Sequence, residues 1–383
     1  MAVNAGPGGT APRDIHAEHV GSLLRQPWLL DARAKHKAGA ISQEELRQTE
    51  DRAASENIAM QQAAGITVFT DGEVRRDTWM AGLLESIGGM TSFGNPDMVI
   101  WHREDGEVPP HEETDFDLLV ASEKVYQKQK LTAVEAAYMA TQVPGQFKVT
   151  LMSAAMGGMV WRPGISDKAY PDPAQLTADL VALQIEEISG LIDLGTRWVQ
   201  LDSLSYNQVF DRKFRESTTG DAIPANVILD TSVTADSKII SGVKAKDPGV
   251  TVGMHICRGN NRSAYMASGS YEPVAERLFT EVPVDRFLLE YDSERAGGFE
   301  PLRFVPPGRV VVLGLVTSKS PVLESLDDLK RRVDEASRYV DGENLAISPQ
   351  CGFASTSGGN LLTLDEQKAK LELVATAAAA IWG

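Results

Sequence analysis

The sequence has little cysteine, no long apolar run and a deficit of positive charge. Two cysteines in 383 residues, Cys257 and Cys351, are too few for a disulfide framework and suit a reducing compartment, so the expected setting is the cytoplasm. No stretch approaches the roughly twenty apolar residues of a membrane-spanning helix, and the N-terminus has no charged segment leading into an apolar one. Against 53 Asp and Glu there are only 37 Lys and Arg, a net charge of −16. No basic run or interleaved aromatic patch offsets it, so neither nucleic acid nor anionic membrane is expected as a partner. A Gly-x-Gly-x-x-Gly after the first apolar segment is also missing, which removes the main support for a doubly wound, dinucleotide-binding sheet.

What is present is an alternation of helical and apolar extended segments. Residues 1–13 are rich in Gly, Pro and Ala and read as a disordered tail; residues 14–383 read as one domain, a size common among barrels. His16 to Ser22 reads as a short strand ending in a glycine turn. Pro27 to Gln62 is helical, broken at Gly39 and restarted by a capping box from Ser42 to Glu45. Ile66 to Glu73 is an apolar strand carrying Asp71 and Glu73 at its end, with Arg75, Arg76 and Asp77 following. Gly88 to Thr114 reads as an insertion or lid loop, Phe116 to Thr141 as helix, Lys148 to Met152 as strand, and Ala154 to Pro173 as a second long loop. Beyond it the pattern is regular: helices at 174–194, 222–246, 271–280, 325–339 and 364–381, and strands at 198–203, 251–257, 286–292, 309–317 and 345–351. Eight short apolar strands alternating with helices predict an α/β fold, a (β/α)8 TIM barrel in a single domain with long loops at its C-terminal face. Ser22, Glu73, Asp202, Cys257, Glu290 and Cys351 all fall at or just beyond strand C-termini, where such barrels keep their active sites.

The chemistry centres on two stretches. His255 and Cys257 are two apart on a strand, so their side chains leave the same face. Imidazole and thiolate together hold a borderline-soft divalent ion such as zinc, and Cys351 at the end of another apolar strand supplies a third ligand. The plainer alternative is a satisfied histidine and two buried structural cysteines. The turn at Gly21 and Ser22 either holds an anionic group or caps the next helix. Arg258 would pair with a substrate acid or with Glu290 or Asp292. Gly352 to Asn360 reads as a flexible turn shaping the Cys351 ligand or as an anion-binding loop.

The motifs Glu18-His-Val-Gly-Ser22, Thr70-Asp-Gly-Glu-Val-Arg-Arg76, Gln200-Leu-Asp202, His255-Ile-Cys-Arg-Gly-Asn260, Leu289-Glu-Tyr-Asp292, Gly314-Leu-Val-Thr-Ser-Lys319 and Ser348-Pro-Gln-Cys-Gly-Phe353 run in order through the chain. Together they resemble the cobalamin-independent methionine synthase family, in its short branch matching only the catalytic half of the long enzymes. The resemblance implies that His255, Cys257 and Cys351 ligate Zn2+, with Glu290 at a fourth position that a substrate thiol replaces. It implies that Gly21 and Ser22 hold the acidic tail of that thiol, and Glu73 and Asp202 its ammonium group. Zinc would keep the small thiol deprotonated at neutral pH, and the implied reaction is methyl transfer to homocysteine.

The sequence departs from the family in three places. Ser203 stands where a second acid is usual, Ser153-Ala-Ala-Met replaces a folate-stacking tryptophan, and Lys319 or a neighbour stands in for a catalytic histidine. The alkyl donor is therefore open among folate, a methylcorrinoid protein and an epoxide. The family also includes epoxyalkane:coenzyme M transferases, and coenzyme M has no amine; on that reading Lys319, Arg76 or Tyr206 would serve the developing alkoxide. A non-catalytic zinc barrel partnering a corrinoid protein, and a decarboxylase of the uroporphyrinogen type, are the readings from other classes. Assembly with further copies of the chain is left open.

Overall fold

Among the described residues, strands of four to nine residues build two sheets, the larger from aliphatic and β-branched runs. The computed structural model describes residues 14–94, 99–109, 118–218 and 223–383; the expected tail at 1–13 lies outside the described residues. Its strands are β1 (Ile87–Ser92), β2 (Leu119–Gln127), β3 (Val149–Met152), β4 (Trp198–Asp202), β5 (Thr251–Ile256), β6 (Arg286–Glu290), β7 (Val310–Val316) and β8 (Leu345–Pro349). From β3 to β8 each strand pairs in parallel with the next, and every residue in these six strands is buried. Burial on both faces is why they read as unbroken apolar runs. The longer helices are α1 (Pro27–Lys37), α2 (Gln43–Ala63), α3 (Leu131–Gln142), α4 (Pro173–Asp193), α5 (Ala225–Lys246), α6 (Glu272–Glu281), α7 (Leu326–Ala336) and α8 (Leu364–Trp382). Among the described residues, no helix is long and apolar enough to cross a membrane.

The break at Gly39 and the restart at Ser42 are as expected. Gly39 has φ +72°, and the Ser42 and Glu45 side chains cap each other's backbone N–H groups at 3.2 and 2.8 Å. Two expectations are corrected. The stretch from Gly88, taken as a loop, begins in β1, and the segment after Leu118, taken as helix, is β2; the two form an antiparallel hairpin with an irregularity between Gly88 and Met90. Gly88 admits the Tyr126 ring, since a Cβ there would lie 2.2 Å from it. The exposed Glu123 and Lys124 on β2 mask its alternation in the sequence. Residues 95–98 and 110–114 of the expected loop lie outside the described residues.

The first two expected strands are extended but join the sheet only through single bridges. Ala17 bridges in parallel to Ile347 of β8, and Phe69 to Phe147 just before β3. Between them, the Leu23 N–H donates to Gly72 O at 3.0 Å. The backbone of Thr70 is paired instead with the Gln61 side-chain amide of α2, at 3.0 and 2.8 Å, and Asp71 O with Asn57 Nδ2 at 2.9 Å. Side-chain amides have thus replaced ladder partners, which satisfies the buried backbone without a regular strand.

Below the strand ends lies a buried ionic layer. Lys148 Nζ donates to Glu18 Oε1 and Gln200 Oε1 at 2.8 and 2.7 Å, and Arg286 Nε donates to Glu18 Oε2 at 3.0 Å. Burial alone would push the Glu18 carboxyl up, but the two cations hold it below its ordinary value, as opposite charges within hydrogen-bond distance do. Gln200 Nε2 then reaches Asp202 Oδ1 at 2.8 Å, so this layer supports the first acid of the site above it.

Candidate metal centre and active site

The β-ladder brings the site together. Parallel register sets Asp202 of β4 beside His255 of β5, and His255 beside Leu288 of β6. His255 Nδ1 lies 3.2 Å from Leu288 O, which leaves Nε2 as the available ring atom; it is buried and has no hydrogen-bond partner among the described residues. Cys257 follows β5, Cys351 follows β8, and the ligand atoms of His255, Cys257 and Cys351 all lie within 4.8 Å of one another in buried positions. A hydrogen bond from Cys351 holds the Cys257 thiol well below its usual range. One imidazole with an orphaned nitrogen and two thiols form a donor set that suits zinc and does not suit magnesium or calcium.

Polar side chains join the two cysteine segments. Asn260 Nδ2 donates to Gly352 O at 2.8 Å, while Asn360 Nδ2 donates to Asn260 Oδ1 at 3.0 Å and to Ser318 O at 2.7 Å. The loop after Cys351, read as a flexible turn, is therefore tied down. Gly352 is required by close approach, because a Cβ there would lie 2.0 Å from Ser22 Oγ.

A cavity of about 110 Å³ opens onto this cluster. Ser22, Glu73, Asp202, His255, Cys257 and Cys351 form its polar side; Trp79, Trp101 and five methionines (Met80, Met152, Met156, Met159, Met266) are on its wall. Glu73 adopts φ +59°, a left-handed conformation that costs a side-chain-bearing residue about 1–3 kcal/mol. Its N–H donates to Asp71 Oδ1 at 2.6 Å, and its Oε1 accepts from Thr150 Oγ1 at 2.8 Å. Glu73 Oε2 is buried without a hydrogen-bond partner among the described residues. Gly21 leaves room for this arrangement, since a Cβ would lie 2.6 Å from Thr150 Cγ2 and 3.2 Å from Glu73 Oε1. Burial raises the Asp202 carboxyl to about 7, with His255 opposing the rise.

Five expected site residues point elsewhere. Ser203 Oγ and Tyr206 Oη donate to Asp236 Oδ2 at 2.9 and 2.8 Å. Arg76 is buried against Glu135 Oε2, with its Nη2 at 2.7 Å, and also donates to Thr150 O at 2.8 Å. Lys319 Nζ donates to Gly259 O and Asn260 Oδ1, both at 2.9 Å, and so braces the loop after Cys257. Glu290 is not brought into the cluster: Oε2 accepts from the Arg258 N–H at 2.8 Å, and Oε1 accepts from Arg295 at 3.0 and 2.8 Å. Burial would raise the Glu290 carboxyl, but Arg295, Lys319 and Arg258 hold it below its ordinary value. The expected fourth protein ligand is therefore occupied by other partners in this arrangement. Arg258 is sandwiched between the Phe210 and Tyr271 rings at 4.3 and 4.0 Å instead of facing a substrate acid.

Comparison with known proteins gives the family. Residues 174–379 match the family model described as cobalamin-independent synthase, catalytic domain. The chain belongs to that family. The chain is 37% identical to the uncharacterized protein YxjH of Bacillus subtilis, over 96% of this chain and 95% of that one. It is 22% identical to a methionine synthase of Pyrococcus abyssi, over 87% and 85%. A crystal structure of a putative vitamin-B12-independent methionine synthase from Listeria monocytogenes superposes with a TM-score of 0.72 at 27% identity, covering 96% of this chain and 98% of that one. The family is one of methionine synthase-like transferases, and the mixed α/β architecture is consistent with a TIM-barrel-like fold.

The sequence did not reveal Thr150, Arg295 or Asp236 as members of this region. Asp236 left a signal: it lies on the apolar stripe Val233, Ile239, Ile240 and Val243 of α5, all buried with it, and an acid at that spacing needs polar partners.

Proposed function

We propose that the protein is a zinc-dependent S-methyltransferase whose acceptor is homocysteine. The observation that carries this reading is the joint placement of the His255, Cys257 and Cys351 cluster with Glu73 and Asp202 on one cavity. Zinc held by those three residues supplies a way to keep a substrate thiol deprotonated at neutral pH without a strong base. Glu73 Oε2, an acceptor with no donor among the described residues, and the Asp202 carboxylate take the ammonium group of the amino acid. Ser22 and the backbone at Gly21 take its carboxylate. The tryptophan and methionine wall excludes water from the sulfur and receives the alkyl donor. Met156, Met159 and Gln208 also border a second cavity of about 320 Å³, which supports that side as the donor's approach.

Epoxide opening by coenzyme M takes the serine at 203 as the sign of a missing amine site. That support weakens because Ser203 is hydrogen-bonded to Asp236, while Glu73 and Asp202 both line the cavity. A sulfonate thiol offers these two carboxylates no cation. We further propose that residues 14–383 form one domain closed as a (β/α)8 barrel, supported by the bridges of Ala17 to β8 and Phe69 to the segment before β3. A cytoplasmic setting accords with two free buried cysteines. The test is calorimetry of the zinc-loaded protein with homocysteine and with coenzyme M, monitoring proton release. Homocysteine is expected to bind with release of a proton; preference for coenzyme M would overturn the acceptor assignment.

A further inference from the structure

Asp236 is fully buried on α5, and the hydrogen bonds it accepts come from three hydroxyl groups: Ser153 Oγ at 2.5 Å on Oδ1, and Ser203 Oγ at 2.9 Å and Tyr206 Oη at 2.8 Å on Oδ2. Burying a carboxylate without a cation partner costs several kcal/mol, and an apolar residue at this point of the stripe would avoid that cost. The three donors come from the segments that follow two neighbouring strands, β3 and β4. They also flank Asp202: the Ser153 N–H donates to Asp202 O at 2.9 Å, and the N–H of Ser203, the next residue, donates to His255 O at 3.0 Å. One carboxylate thus fixes the backbone on both sides of the acid that lines the cavity.

We propose that Asp236 is a positioning residue: through Ser153 and Ser203 it sets the direction in which Asp202 faces the cavity, and so determines how strongly the site distinguishes a thiol bearing an ammonium group from one without it. This rests on the reading of Asp202 as part of an ammonium site. Asp236 itself touches no substrate. A carboxylate accepts from all three hydroxyls at once; an amide in its place presents one acceptor and one donor, so at least one arm must reverse or break.

The experiment measures, by calorimetry on the zinc-loaded protein, the ratio of affinities for homocysteine and 4-mercaptobutyrate, which is homocysteine without its amine. Asp236→Asn is expected to lower that ratio about tenfold, in the range for a misplaced hydrogen bond to a charged group. Asp202→Asn should lower it at least as far, and the double variant no further than Asp202→Asn alone. Ser203→Ala, which leaves the carboxylate in place, should lower it by a smaller factor and covers the case in which Asp236→Asn fails to fold. An equal change in both affinities, or an unchanged ratio in Asp236→Asn and Ser203→Ala, overturns the positioning role. Absence of any preference in the parent protein overturns the ammonium site instead, and Asp202→Asn would then also be silent.

Discussion

Replacing Cys351 by serine tests the metal centre most directly. The thiol is buried, with its ligand atom within 4.8 Å of those of His255 and Cys257, and a hydroxyl that stays protonated at neutral pH cannot take its place as an anionic ligand. Zinc held by four protein ligands binds with an apparent energy of about 10–16 kcal/mol, or about 3 kcal/mol per ligand. Removing one ligand of three should therefore weaken retention by roughly a hundredfold to a thousandfold. Serine is smaller than cysteine and introduces no clash, so the fold should survive. The assay is zinc content after dialysis against a calibrated chelator, with melting curves run beside it. In the parent protein, zinc at a hundred times its dissociation constant adds about 2.7 kcal/mol of stability, so the chelator should lower Tm by a few degrees. In Cys351→Ser the chelator should have no effect, because the metal has already been lost. A variant purified with one equivalent of zinc and the parent's chelator response would refute the assignment. A parent protein without zinc would return both cysteines to a structural role.

Three further outcomes follow from the geometry. Gly352→Ala places a Cβ 2.0 Å from Ser22 Oγ, so Ser22 must rotate and surrender its bond to the Ala354 N–H; a loss of about 1–3 kcal/mol should appear as a lower Tm together with weaker homocysteine binding. Glu290→Gln removes one of the charges on the half-buried Arg295, whose pairs with Asp292 and Glu104 remain, and should cost about 1–3 kcal/mol in chemical denaturation while zinc stays at one per chain; loss of zinc would make Glu290 a ligand after all. Burial raises the Asp236 carboxyl from its ordinary 3.8 to about 6. The folded state therefore holds a proton that the unfolded state releases, and stability from this group is full below pH 4 and lost as pH rises toward 6, by about 3 kcal/mol in all. Denaturation midpoints across that range should fall less steeply in Asp236→Asn than in the parent; an identical slope refutes the shift.

The central sheet was legible because burial on both faces leaves a plain mark. Each of β3 to β8 falls within one or two residues of the apolar run that announced it. The capping box at Ser42 and Glu45 marked the start of α2 equally well. The hairpin was not legible, because β2 presents Glu123 and Lys124 to solvent and its pairing depends on a glycine chosen to fit a tyrosine 38 residues later. The segment at 66–73 has strand composition, yet the Gln61 and Asn57 amides take hydrogen bonds at Thr70 and Asp71 that a ladder would have used. Competition of that kind depends on where α2 packs, which no local window contains.

Within the site, spacing was informative wherever the two-residue period of a strand decides direction. His255 and Cys257 share a face for that reason, and the same rule sends Asp202 and Ser203 to opposite faces. Ser203, the residue after β4, accordingly does not line the cavity that Asp202 lines, and a serine there says little about whether the substrate carries an amine. Its constraint comes from α5. Within hydrogen-bond distance of the Asp236 carboxylate, a second buried acid would set two like charges together, and one of them would have to be protonated. A hydroxyl at 203 and a carboxylate at 236 form a compatible pair; two carboxylates do not. The departure at Ser203 is thus balanced on the helix behind β4, and the ammonium site proposed on the cavity side, Glu73 with Asp202, is untouched by it.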